Sequence, residues 1–180
     1  MRGTIKKMRR FNMKRISLFI LTAIVSIFMA CESAPKKTES MPATDTSSLF
    51  VSSSNEQLAN FPVAGFGYKS SKVPAQKWDT WAKNAAPVVK KIVDSLPEGY
   101  VLQVTGHTDS SGPEEPVGRK PGNIKISSDR ANTVYESLKR QGISSPNMTS
   151  KGVGSSDPLE GVDGRDPSQR RVTFKVVPKQ

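Results

Sequence analysis

The chain of 180 residues holds one cysteine, Cys31, and one histidine, His107. A lone cysteine cannot close an intrachain disulfide, whatever the compartment. One histidine without a spare cysteine falls short of the three or four ligands that a zinc site needs. The fold is therefore expected to stand on its hydrophobic core, with no metal and no cofactor. Acidic residues are absent before Glu32, whereas seven Lys/Arg fall within positions 1–30, and this asymmetry accounts for most of the net charge of +11. Past residue 30 the chain has 20 Lys/Arg against 16 Asp/Glu, an ordinary surface balance. No basic block of the kind that tracks a phosphate backbone remains, which argues against nucleic acid as a partner. No apolar run reaches the ~20 residues of a membrane-spanning helix, and no internal repeat is visible.

What the N-terminus does contain is Lys14-Arg15, then fifteen almost wholly apolar residues, Ile16 to Ala30, then Cys31. A basic start, a short apolar core and a small residue at the cut define a secretory signal. Ending on cysteine, it reads as a lipoprotein export signal over residues 1–30, with Cys31 the lipidated (palmitate-bearing) start of the mature protein. Such boxes usually place Leu and a small residue where Phe28 and Met29 stand. An ordinary signal peptide, or an uncleaved anchor with an incidental cysteine, is the alternative. Met1, Met8 and Met13 are all candidate starts. Residues 31–57, rich in Ser, Thr, Pro, Lys and Glu, bury too little to offset their ordering entropy and read as a flexible tether. As a random coil they would reach about 25–30 Å.

From residue 58 the pattern turns globular. Val63–Ser70 reads as a strand with Phe66 and Tyr68 on one face. Pro74 opens a helix whose Trp78, Trp81, Ala85, Val89, Ile92 and Val93 recur at helical spacing, and Pro87 should kink or divide it. Its two tryptophans read as core. Tyr100–Gly106 alternates as a strand, and a Gly/Pro-rich loop follows over Thr108–Lys125. A helix is predicted over Ser128–Gln141, closed by Lys139, Arg140 and a left-handed cap at Gly142. Met148–Val153 and Arg171–Val177 are the last strands. The order β-α-β-α-β-β implies an α+β two-layer sandwich, with helices packed on one face of a mixed sheet.

The segment Gly106-His107-Thr108-Asp109 resembles the strand-end motif of the OmpA/Pal/MotB-type peptidoglycan-binding domain. The resemblance continues through Asn123, Ile126-Ser127, Arg130-Ala131, Gly152-Val153-Gly154, Pro158 and Arg170-Arg171-Val172, and covers about residues 61–178. It implies the OmpA C-terminal-domain fold over 58–180, and non-covalent binding of the diaminopimelate of the peptidoglycan stem peptide. The family's aspartate pairs with that residue's ammonium and its Leu-Ser-x-x-Arg-Ala arginine grips the carboxylate; the matching positions are Asp109 and Arg130. A guanidinium meets a carboxylate with two parallel bonds, which Lys cannot do. Arg130 is expected in the first turn of its helix, where free backbone N–H groups would also favour a ligand carboxylate. Asp109 and Arg130 bridging each other, or capping a turn and a helix, is the bland alternative. Thr108 and Asn123 are candidate pocket hydrogen-bonders. His107 supports the strand end, and of Arg170 and Arg171 one braces the loops while the other faces solvent. The departures are a longer loop between Asp109 and Asn123, Gln169 in place of Asn, and Gly67 and Lys69 in place of two acidic residues.

The function this implies is an outer-membrane lipoprotein, lipid-anchored most simply on the periplasmic face, that links the membrane to the cell wall without catalysis. Its partners would be peptidoglycan, the membrane through the lipid, and possible envelope proteins. A surface-displayed adhesin is the alternative, with Arg119, Lys120 and Lys125 of the long loop meeting a partner. A cell-wall hydrolase would need two opposed carboxylates, and Glu114 and Glu115 are merely adjacent.

Overall fold

The computed structural model describes residues 43–180 except Ser144. The predicted signal at 1–30, Cys31 and the tether up to residue 42 lie outside the described residues. Three helices and a four-stranded sheet form an α+β domain in the order α1 (Ala43–Ala59), β1 (Val63–Ala64), α2 (Ala75–Asp94), β2 (Tyr100–Gly106), α3 (Asn123–Arg140), β3 (Met148–Gly152) and β4 (Arg171–Pro178). The sheet order is β1-β4-β2-β3. β2 and β3 are parallel, joined through α3, whereas β4 runs antiparallel to both β2 and β1. After α1, the β-α-β-α-β-β order and the mixed sheet are as expected.

The core lies between the helices and one face of the sheet. Leu102 and Val104 of β2, and Val172, Phe174 and Val176 of β4, meet Ala85, Val89 and Val93 of α2 and Ala131, Val134 and Leu138 of α3. Trp81 stacks on Trp78 at 5.0 Å and leans on Phe174 at 5.3 Å. Its indole N–H donates to the Phe61 carbonyl at 2.7 Å, so its polar edge is satisfied as the ring is buried. Both tryptophans pack in or against the core.

Pro87 does not divide α2, which runs unbroken for 20 residues. A proline inside a helix forfeits a backbone bond and costs about 3 kcal/mol. The buried face that continues on both sides of it, Ala85 and Ala86 before and Val89, Ile92 and Val93 after, outweighs that loss. At the far end of α3, Gly142 takes φ 76°. Its N–H reaches Lys139 O and the N–H of Ile143 reaches Leu138 O, closing the helix as predicted.

Three expectations need correction. First, residues 43–57 are not tether: they form most of α1, and α1 is docked. Its inward stripe is only half apolar and sits in a Ser/Thr-rich segment, which masks the periodicity; Leu58 and Ser54 are buried, with Phe50 and Val51 packed on the core. Asn55 accounts for much of the docking. β1 pairs β4 only at Arg171 and Val172. Farther along, the Asn55 amide accepts from Val176 N at 2.7 Å and donates to Val176 O at 3.2 Å. A helix side chain thus covers a strand edge that the short β1 leaves bare.

Second, the first strand ends at Ala64, and Phe66 and Tyr68 do not share a face: Phe66 is buried and Tyr68 is 58% exposed. The carbonyls of Phe66, Gly67 and Ser70 go to arginine side chains instead of a sheet ladder. Third, α3 begins at Asn123, five residues before the predicted Ser128. No side chain caps it; the carbonyls of Pro113 and Glu114 accept from Asn123 N (2.9 Å) and Ile124 N (3.1 Å). The long loop, folded back on the helix start, does the work of a cap residue.

Candidate functional site

The parallel unit β2-α3-β3 sets up the site. Gly106 ends β2 and Gly152, its register partner, ends β3. A Cβ on Gly106 would lie 1.9 Å from Ser127 O, and one on Gly152 would lie 2.2 Å from Ser128 N. Only glycine lets α3 pass this close to the strand ends. That approach sets Arg130 beside residues 107–109, which leave the sheet just past Gly106.

Asp109 and Arg130 line one cleft, with Thr108 and Asn123 on its walls and Tyr68 and Lys69 from the loop after β1 at its lip. The cavity measures about 10 Å³, room for no more than one water. The sequence-predicted residues are thus together, but the clamp is not vacant. Arg130 is 1% exposed. It donates from Nη1 to His107 O (2.7 Å), from Nε to Ser70 O (2.8 Å) and from Nη2 to Gly67 O (3.0 Å). Its guanidinium also lies 5.4 Å from the Phe66 ring centre. Burial first, and then the charge of Arg170, lower its pKa to about 10 against the opposing pull of Asp109, so it stays a cation at neutral pH.

Asp109 is also buried. Its Oδ1 accepts from Ser111 N at 3.0 Å and its Oδ2 from Arg170 Nη1 at 2.8 Å. Burial works to raise its pKa, but the hydrogen bonds from Arg170 and Ser111, with Arg170's charge, outweigh this and hold the carboxyl below its ordinary value. The pair the sequence left open, Asp109 bound to Arg130, does not form; Arg170 takes that place.

Two further expectations are corrected here. Arg130 is the eighth residue of α3 and not in its first turn. The N–H groups of Asn123 and Ile124 at the helix start are already bonded to the long loop, so helix-start donors cannot serve a ligand at Arg130. Arg170 braces the loops, through Asp109 and Phe66 O (2.8 Å). Arg171 does not face solvent: it is 6% exposed, bonded to Asp157 O and to Gln169. Gln169 is buried beside it and ties down residues 159–163 through Leu159 N, Val162 O and Asp163 O, a packing role.

Thr108 donates its N–H to Gly154 O, while its buried hydroxyl has no partner among the described residues. Asn123 spends its amide nitrogen on Asp109 O, Gly112 O and Glu114 Oε1, pinning the long loop across the cleft's side. Glu114 is fixed in turn by Ser155 and Asn123. It is therefore a strut of the loop, and Glu115 beside it is exposed. His107 places its ring against Thr173, with Nε2 2.9 Å from Oγ1, and its Nδ1 lies 3.6 Å from Asp157 Oδ2. Burial, and next the charge of Arg171, lower its pKa to about 4 although Asp157 opposes them, so the ring is neutral at pH 7. Tyr68, Lys69 and Ser111 were missed as site residues. The sequence pattern puts the first two in a strand, and Ser111, which supports Asp109 through its backbone N–H and its hydroxyl, lies in a loop without a distinguishing pattern.

This arrangement brings one carboxylate, Asp109, and two guanidiniums, Arg130 at the cleft and Arg170 on Asp109, into a polar setting. Among the described residues no group of three or more His, Cys, Asp and Glu is disposed to hold a metal ion, and no helix is long and apolar enough to cross a membrane.

The domain belongs to a class with known members. The OmpA family model matches residues 79–171, and the chain belongs to the OmpA family. Its fold is similar to that of the peptidoglycan-associated lipoprotein from Burkholderia pseudomallei, with 22% identity over 67% of this chain and 92% of that one, at a TM-score of 0.52. The OmpA-like domain of FopA1 from Francisella tularensis aligns with 22% identity over 66% and 74% of the chains, at a TM-score of 0.48. The C-terminal domain of Helicobacter pylori MotB aligns with 16% identity over 66% and 86%, at 0.49. No curated protein matches the sequence.

Proposed function

We propose that this is a cell-envelope protein whose domain binds peptidoglycan non-covalently through the diaminopimelate of the stem peptide. Asp109 takes the ligand's ammonium and Arg130 its carboxylate. The observation that carries the reading is the convergence of Asp109 and Arg130, one from the end of β2 and one from the middle of α3, on a single cleft with an unpartnered Thr108 hydroxyl in its wall.

Arg130 can engage a ligand by exchange. Its Nε and Nη2 form one edge of the guanidinium, the edge that suits a carboxylate, and both are held by loop carbonyls, Ser70 O and Gly67 O. Gly67 is exposed and Ser70 half-buried, so water can replace Arg130 at those carbonyls. Nη1 stays on the buried His107 O and keeps the side chain in place. Lipid on Cys31 would hold the domain near the wall from the outer membrane.

Co-sedimentation with purified cell-wall sacculi tests this. Asp109→Asn keeps the shape of the side chain and removes its charge. It is expected to lower retention by the 2–5 kcal/mol typical of a desolvated charge pair losing one partner. Equal pelleting of a folded Asp109→Asn protein and the wild type would sink the assignment.

A further inference from the structure

The lip of the cleft carries a cation that a zwitterionic ligand does not use. Lys69 lines the cavity, is exposed, and has no carboxylate within 4.0 Å among the described residues. Its ammonium instead lies 5.1 Å from the ring centre of Tyr68, itself 58% exposed. Lys69 is also the one non-glycine residue with positive φ, 52°, among the described residues. A β-carbon in that region costs about 1–2 kcal/mol. In the free protein Arg130 holds the loop on both sides of it, at Gly67 O and Ser70 O, with Lys69 at the cleft mouth.

The local charges are unequal. Lys69, Arg130 and Arg170 face one cleft carboxylate, Asp109, which Arg170 already contacts. Of the other carboxylates, Glu114 is bonded to Asn123 and Ser155, and the exposed Asp166 lies within electrostatic reach of Arg170. A ligand of one ammonium and one carboxylate would occupy Asp109 and Arg130 and leave Lys69 without a counter-charge.

We infer that Lys69 makes this cleft select stem peptides with a second free carboxylate, that of the γ-linked glutamate preceding diaminopimelate, over peptides amidated at that position. The inference rests on the proposed function of the cleft. In a γ-linked glutamate the α-carboxylate is outside the main chain, one residue from the zwitterion, and so falls at the lip when the zwitterion sits below. Tyr68 limits the volume that the lysine side chain explores and lowers the entropy cost of pairing.

The test uses the purified full-length chain in detergent and two soluble tripeptides, Ala-γ-Glu-diaminopimelate with the carboxyl at the peptide-linked centre of diaminopimelate blocked as its methylamide, and the same blocked peptide amidated at the glutamate α-carboxylate. The wild type is expected to bind the free acid about two- to fivefold more tightly at low salt, the range of an exposed ion pair. The preference should shrink at 0.5 M salt, where the screening length is only about 4 Å. Lys69→Met should abolish the preference, and Lys69→Arg should retain it. Equal wild-type affinity for the two peptides, with Asp109→Asn weakening both, would overturn the role of Lys69 and leave the cleft assignment standing. Failure of the wild type to bind either peptide would overturn both readings.

Discussion

The only histidine in the chain gives a pH dependence that can be assigned to one residue. His107 is 1% exposed, its ring held between Thr173 and Asp157 with Arg171 close enough to repel the imidazolium. Its pKa falls from an ordinary 6.5 to about 4, so between those values the unfolded chain binds a proton that the folded chain refuses. Stability is then complete above pH 6.5 and declines as pH falls toward 4. Going from pH 7 to pH 5 should cost about 2 kcal/mol, a substantial part of a typical domain's 5–15 kcal/mol. In urea titrations the midpoint should drop by roughly 1 M, given a slope of about 2 kcal/mol per M. Asp109 and Glu114, whose folded pKa values are depressed, also lose stability in acid, but that loss begins at their ordinary values of 3.8 and 4.5, below the pH 7 to 5 window. His107→Gln, which can still reach Thr173 without titrating, should flatten the dependence. A wild-type midpoint unchanged from pH 7 to pH 5, or an undiminished slope in His107→Gln, would refute the picture of a buried neutral ring.

Three other outcomes follow from the same contacts. Arg130→Ala removes three hydrogen bonds from a cation and leaves His107 O buried without a donor; it should cost about 2–4 kcal/mol after relief of the desolvation penalty, seen as a thermal midpoint lower by about 10 °C. Asn55→Ala strips both partners from Val176 and should cost about 1–3 kcal/mol in urea unfolding; no change would mean that α1 is not docked. Hydrogen exchange at residues 66–71 should accelerate on addition of stem peptide, because Arg130 must release Gly67 and Ser70 to take a carboxylate; slower exchange there would argue against the swap.

Where side-chain identity alone decides structure, the sequence was readable. β2 is rich in β-formers and its bounds at Tyr100 and Gly106 match, although both of its faces are largely buried, and the end of α3 carries its own glycine. The site residues also fell together, since a motif written on one strand end and one helix is brought together by the β2-α3-β3 crossover. What escaped depended on backbone groups meeting distant side chains. α1 is tied down by Asn55 on Val176, 121 positions away, and its inward stripe mixes Ser54 and Asn55 with Phe50, Val51 and Leu58, a signal diluted by the surrounding Ser and Thr. β1 stops short because Arg130 and Arg170, from beyond position 129, take the carbonyls that would extend it. α3 starts early because a loop carbonyl caps as well as a Ser or Asp would, and a carbonyl leaves no mark in the sequence. The saturation of Arg130 has the same origin: all three acceptors are main-chain oxygens.

That saturation bears on how firmly such a site can hold its ligand. A guanidinium this deeply buried is tolerable only if its donors are satisfied in the free protein, and the loop carbonyls do this. A ligand carboxylate therefore adds no bonds to an empty fork; it replaces two bonds to neutral carbonyls with two to an anion. The gain is the difference between charge-assisted and ion-paired contacts, on the order of 1–3 kcal/mol, and the loop must be lifted against it. On the proposed reading each contact with the wall is consequently modest. Attachment would then depend on confinement: a domain held by lipid beside a dense array of stem peptides meets them at the millimolar effective concentrations of a short linker. At such concentrations a weak, exchangeable site remains mostly occupied, and it can still release when the wall is remodelled.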